Sequence, residues 1–103
     1  MIVTGRKIAK DFINEFSEAE NSIEALLFEM KKASWSTPNE LKSQYRSASI
    51  IGAGCVVFNI CGNKYRLVAK IEYESKIVRI RWAGRHKEYE KLKLKETKCL
   101  SSN

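Results

Sequence analysis

The chain has 103 residues, 44% of them hydrophobic and 30% charged, with a single proline. That length supports one core and excludes a multidomain machine, and it is long enough to fold without metal or disulfide staples. Nineteen Lys and Arg oppose twelve Asp and Glu, for a formal net charge of +7. Residues 1–51 carry seven basic and seven acidic side chains, whereas residues 52–103 carry twelve and five. The whole excess lies in the second half, the pattern of a neutral supporting half and a half that faces a polyanion.

The start, MIVTGRKIAKDF, lacks the apolar core of a signal peptide, and the longest weakly polar run, Ile50 to Gly62, is interrupted by Asn59. It falls well short of the roughly 20 residues a membrane span needs, so the expectation is a cytoplasmic protein without a membrane partner. Cys55, Cys61 and Cys99 are odd in number and form no CxxC pattern. Cys55 and Cys61 lie too far apart in one extended strand to pair, so all three read as inert thiols without a disulfide framework.

In chain order, Ile8, Phe12 and Phe16 recur at helical spacing after Thr4, a possible N-cap. Ser17 and Glu20 have the spacing of a capping box ahead of Ile23, Leu26, Leu27 and Met30. These patterns predict helices over about 5–16 and 18–33. Ser36-Thr37-Pro38 supplies cap chemistry and a proline at a first helical position, predicting a short helix over 38–45. Trp35 reads as a packing anchor.

From about residue 55 the period changes to two. A turn at Gly62-Asn63 pairs Ile60 with Tyr65, Phe58 with Leu67 and Val56 with Ala69. A turn at Glu74-Ser75 pairs Ile71 with Val78, Ala69 with Ile80 and Leu67 with Trp82. Both place apolar residues on one face, with Tyr65 and Trp82 in the core and Tyr73 closing the hairpin end. The other face then carries Asn59, Lys64, Arg66, Lys70, Arg79 and Arg81, with Asn59 across from Arg66 and Arg81 across from Val68, and no carboxylates. Gly84 to Tyr89 starts a short last helix that brings His86 to the end of this basic face. The lysine-rich residues 93–103 read as a flexible tail. The expectation is one α+β domain over 1–103, with N-terminal helices packed on a small antiparallel sheet and a three-stranded meander at its centre.

One histidine and a cationic face exclude a zinc hydrolase and a paired-carboxylate glycosidase, and no P-loop or GxGxxG is present. The chemistry left to such a face is phosphodiester cleavage by the neighbouring 2′-OH. That reaction needs a base, a proton donor and positive charge against the transition state. Arg66, Arg79 and Arg81 supply guanidinium forks. His86, with an ordinary pKa of about 6.5, suits proton transfer, whereas Tyr89 and Lys87 are protonated at neutral pH and fit donor or electrostatic roles. The same basic face is also compatible with a solvated surface or a non-catalytic binding module.

The block VFNICGNKYRL at residues 57–67 and the block IRWAGRHKEY at residues 80–89, with Trp35 to Pro38 and Leu41-Lys42 before them, resemble the HigB toxins of type II toxin-antitoxin modules. These belong to the RelE-like superfamily, and the resemblance runs from about residue 4 to residue 92. It implies N-terminal helices on a small antiparallel sheet. It also implies an mRNA endoribonuclease that cuts in the ribosomal A site without a metal or other cofactor. A helix-turn-helix antitoxin of HigA type would neutralise it, and the complex would bind operator DNA through the antitoxin. The positions carried over are Asn59, Asn63, Lys64, Arg66, Arg81, His86, Glu88 and Tyr89. Arg66, Arg81, His86 and Tyr89 are the catalytic candidates, with His86 as either acid or base. Asn59, Lys64, Lys70, Arg79, Arg85 and Lys87 are the RNA-binding candidates. The chain departs from the family with Arg85 where threonine is common and Glu90 where aspartate is. Two other readings are a non-catalytic RNA- or ribosome-binding module and a degenerate toxin acting as corepressor with its antitoxin.

Overall fold

The computed structural model describes residues 1–92, so the expected basic tail over 93–103 and the reading of Cys99 lie outside the described residues. Strand β1 (Ile2–Thr4) leads into helix α1 (Arg6–Glu15), a 3-10 turn (Ser17–Ala19), α2 (Glu20–Lys32) and α3 (Pro38–Gln44). Strands β2 (Ser49–Ile51), β3 (Cys55–Ile60), β4 (Tyr65–Glu72) and β5 (Ile77–Arg85) follow, then α4 (His86–Lys91). The five strands form one sheet in the order β1-β5-β4-β3-β2. The α+β class and the central meander are as expected, and β1 adds a parallel edge beside β5.

The β3–β4 pairing follows the apolar alternation: Val56 faces Ala69, Phe58 faces Leu67, Asn59 faces Arg66 and Ile60 faces Tyr65. A slip by one residue would move every one of these side chains to the wrong face, which is why alternation specifies register so strongly. Their helix-side face meets Phe12 of α1, Ile23 and Met30 of α2 and Leu41 of α3 in one core. Burying each such large apolar side chain stabilises the fold by roughly 1.5–3 kcal/mol. Trp35 is buried there as an anchor, its Nε1 donating to Gln44 Oε1 at 3.1 Å. Tyr73 packs against the same core at the hairpin end.

The helix starts differ from expectation in instructive ways. Thr4 is not a cap, because it pairs in β1; α1 instead begins after Gly5, whose φ of 79° is left-handed. A Cβ on Gly5 would lie 2.3 Å from the carbonyl oxygen of Ile80 in β5, so glycine is what lets the chain turn from β1 into α1 this close to the sheet. Ser17 and Glu20 form no capping box: Ser17 opens the 3-10 turn, which carries the chain directly into α2. At α3 the expected chemistry holds, with Thr37 Oγ1 accepting from the Glu40 amide at 3.2 Å and Pro38 at the first helical position. Cys61 is a free thiol and Cys55 is buried within the sheet.

Candidate nucleic-acid interface

Strand β5 pairs with β4 as expected from Ile71–Val78 to Ala69–Ile80, and then the register shifts. Val68 faces Trp82, Leu67 faces Ala83 and Arg66 faces Gly84, leaving Arg81 as the extra residue of a β-bulge. This overturns the expected pairs Leu67–Trp82 and Arg81–Val68. Beyond the bulge the alternation is inverted. Trp82, expected in the core, joins Val57, Val68 and Tyr89 on the face away from α1–α3. Arg85 goes the other way, its guanidinium 5.9 Å from the ring of Phe16.

The outer face carries a row of three planar groups. The Arg66 guanidinium lies 5.9 Å from the Tyr89 ring, and Tyr89 lies 6.3 Å from Trp82 at an interplanar angle of 47°. Arg66 Nη1 donates to the carbonyls of Asn63 and Tyr65, both at 3.2 Å, which orients the fork. Trp82 lies flat along its strand because residue 84 is glycine: a Cβ there would sit 2.5 Å from the Cη2 and Cζ2 atoms of the indole. Neither Trp82 nor Gly84 was singled out from the sequence as functional, since a bulge without a diagnostic glycine leaves no local signal.

Around this row sit the other expected residues. Arg81 is half-buried at the bulge, and Lys70 faces Arg79 across the strands. Asn59 faces Arg66, but its amide donates to the Ser47 carbonyl at 3.1 Å. The outer face does carry a carboxylate, contrary to expectation, because Glu72 shares the parity of Lys70. Arg79 Nε donates to Glu72 Oε2 at 2.7 Å. Arg79 and then the Ser75 hydroxyl hold the Glu72 carboxyl below the usual carboxylate range.

A second group lies at the end of the sheet, where Lys64, Tyr65, Arg85, His86 and Lys87 line a shallow pocket of about 340 Å³. Lys64 belongs to the β3–β4 turn, not to the outer face, and reaches Glu18 at 3.3 Å. The Tyr65 hydroxyl also donates to Glu18. That hydrogen bond, followed by burial, pushes Tyr65 up to about 12, while Tyr65 and Lys64 hold Glu18 below its ordinary value. Arg85 pairs with Glu88 at 3.0 Å, and the Arg85 amide donates to the same carboxylate at 2.9 Å, capping α4. Arg85 therefore also lowers the Glu88 carboxyl. The His86 amide donates to the Lys64 carbonyl at 2.9 Å, and its Nε2 lies 3.0 Å from Glu90 Oε2. The expected site residues thus fall into two neighbouring groups, Arg66 and Tyr89 on the outer face and His86 with Lys64, Arg85 and Lys87 at the sheet end.

The depressed carboxylates make a prediction. Glu18, Glu72 and Glu88 have folded pKa values below their unfolded ones, so their stabilisation is present above about pH 4.5 and is lost as pH falls through the folded values. Melting temperature is expected to drop as pH falls from about 5 to about 3, and less steeply in Glu18→Gln. Thermal melts across that range check it; identical slopes in the two proteins would remove Glu18 from the account.

A mixed five-stranded sheet backed by three helices, with a short C-terminal helix, is consistent with the fold of a small toxin of the RelE-like class. The family model of HigB toxins, described as the RelE-like toxic component of a toxin-antitoxin system, matches residues 19–92. The chain belongs to this family and is the toxin of a toxin-antitoxin system, with an antitoxin as its partner. No curated protein matches the chain. Among the described residues, no helix is long and apolar enough to cross a membrane.

Proposed function

We propose that this toxin is an mRNA endoribonuclease that cuts in the ribosomal A site, through attack of a ribose 2′-OH on the adjacent phosphate without a metal ion. The observation that carries this reading is the oriented Arg66 fork beside Tyr89, on a face that also bears Trp82 and Lys70. In the step, the 2′-oxygen bonds to phosphorus as the bond to the 5′-oxygen breaks. One proton leaves the 2′-OH and one reaches the departing oxygen, giving a 2′,3′-cyclic phosphate and a 5′-hydroxyl.

Arg66 and Arg81 hold the phosphate and stabilise the charge that develops on it. His86 transfers one of the protons, with Glu90 on Nε2 orienting the ring and leaving Nδ1 for the substrate. Tyr89, one helical turn from His86, donates a hydrogen bond to the phosphate or the leaving oxygen. Lys64, Lys70, Arg79, Arg85, Lys87 and Asn59 contact flanking phosphates and ribosomal RNA. In the cytoplasm a helix-turn-helix antitoxin of HigA type neutralises the toxin, and the complex reaches operator DNA through the antitoxin.

The rival reading, a binding module or a corepressor without catalysis, is favoured by one observation: Arg79, Arg85 and His86 each already pair with a glutamate. Primer extension on a reporter mRNA, with and without translating ribosomes, separates the two. Cuts in frame with codons, seen only with ribosomes and weakened in His86→Ala and Arg81→Ala, are expected. A folded protein that binds ribosomes with steep salt dependence but makes no cuts would overturn the catalytic reading.

A further inference from the structure

The bulge at Arg81 moves the largest side chain of β5 out of the core and onto the cationic face. There Trp82 is half-buried, backed by Val57 and Val68 and lying flat across Gly84. Its ring and that of Tyr89 lie at 47° to each other, and the Arg66 guanidinium is 5.9 Å from the same Tyr89 ring. Arg66 pairs across the strands with Gly84, so the fork and the indole sit on adjacent strands at the same level of the sheet. Lys70, of the same parity as Arg66 and Val68, lies further along β4 on this face, and Arg81 precedes the indole at the bulge.

Planar aromatic and guanidinium groups interleaved with cations suit unstacked nucleobases: the rings take the π-face of a base while the cations follow its phosphates. We infer that Trp82, with Tyr89 and Arg66, is a stacking platform for one nucleobase of single-stranded RNA, next to the phosphate that Arg66 holds. The inference rests on the ribonuclease reading for its ligand, but the contact itself does not require cleavage. Stacking accepts every base, so this contact supplies affinity and position, and hydrogen-bond readout of sequence lies elsewhere.

The test uses an RNA that cannot be cut. Trp35→Phe leaves Trp82 as the sole indole of the chain, since the sequence has two tryptophans. That protein is titrated at low salt with a 2′-O-methyl hexanucleotide and with a fully abasic oligomer of the same length, each carrying a terminal dye. Anisotropy reads binding and indole emission reads stacking. The base-containing oligomer is expected to quench Trp82 and the abasic one is not.

Trp82→Leu is expected to weaken the base-containing oligomer about 10-fold or more and to leave the abasic one unchanged, with Trp82→Phe in between. Gly84→Ala, which displaces the indole without removing it, is expected to lose the quenching. Equal quenching by both oligomers, or equal loss of both affinities in Trp82→Leu, would reduce Trp82 to a support for α4 and overturn the platform. Failure of the base-containing oligomer to bind overturns it as well. Ribosome-dependent cleavage without quenching removes the platform alone, whereas quenching without cleavage supports the platform and removes the ribonuclease reading.

Discussion

Arg66→Ala is expected to lower ribosome-dependent cleavage by about 10²–10³-fold, the usual loss when one pre-oriented donor to a transition-state charge is removed. The size of the effect follows from the geometry: the fork is held by two carbonyls at 3.2 Å and lies over Tyr89, so little reorganisation is needed when the phosphate arrives. Arg66→Lys keeps the charge and loses the fork, so its activity is expected to lie between the two. Because the same two hydrogen bonds also brace the β3–β4 turn, the melting temperature must be measured in parallel. A drop in cleavage with melting unchanged assigns Arg66 to the reaction. Cleavage within twofold of the parent, or a loss that merely follows unfolding, would take Arg66 out of it.

Gly5→Ala is expected to have the largest effect on stability. The left-handed φ costs an L-residue about 1–2 kcal/mol, and forcing a methyl group against packed backbone adds roughly 1–3 kcal/mol. Here the obstacle is the Ile80 carbonyl at 2.3 Å, which cannot rotate aside as a side-chain tip could. For a domain of this size the sum corresponds to a fall in melting temperature of about 10–25 °C. Two other glycines calibrate the measurement. Gly62 has a φ of 69° with nothing within 4 Å of its would-be Cβ, so Gly62→Ala carries only the backbone cost. Gly52 has neither strain nor neighbour, so Gly52→Ala is expected to be nearly neutral. Three equal melting temperatures would refute the account of how α1 leaves the sheet.

Legibility in the sequence followed the range of the interaction. The β3–β4 hairpin was readable pair by pair, because turn chemistry and alternation act within fifteen residues or so of chain. Helix α3 was readable because Thr37, Pro38 and Glu40 carry their own cap. Strand β1 was not, since three residues pairing in parallel with a strand more than seventy positions away have no local period. The site was legible in part: Arg66 and Tyr89 were named and do meet on the outer face. Lys64 and Arg85 were named too, but the β3–β4 turn and the bulge put them at the end of the sheet, where they pair with Glu18 and Glu88.

Composition, alternation and two blocks of residues were sufficient by themselves to determine a basic second half, the core face of the β3–β4 hairpin and the toxin family. The tertiary structure decided which residues stand on the far face. A single unpaired residue at position 81 inverts the alternation after it, sending Trp82 and Gly84 outward and Arg85 inward. Side-chain direction in a strand depends on its pairing with a neighbour, and a bulge is a property of the pair that neither strand spells out alone.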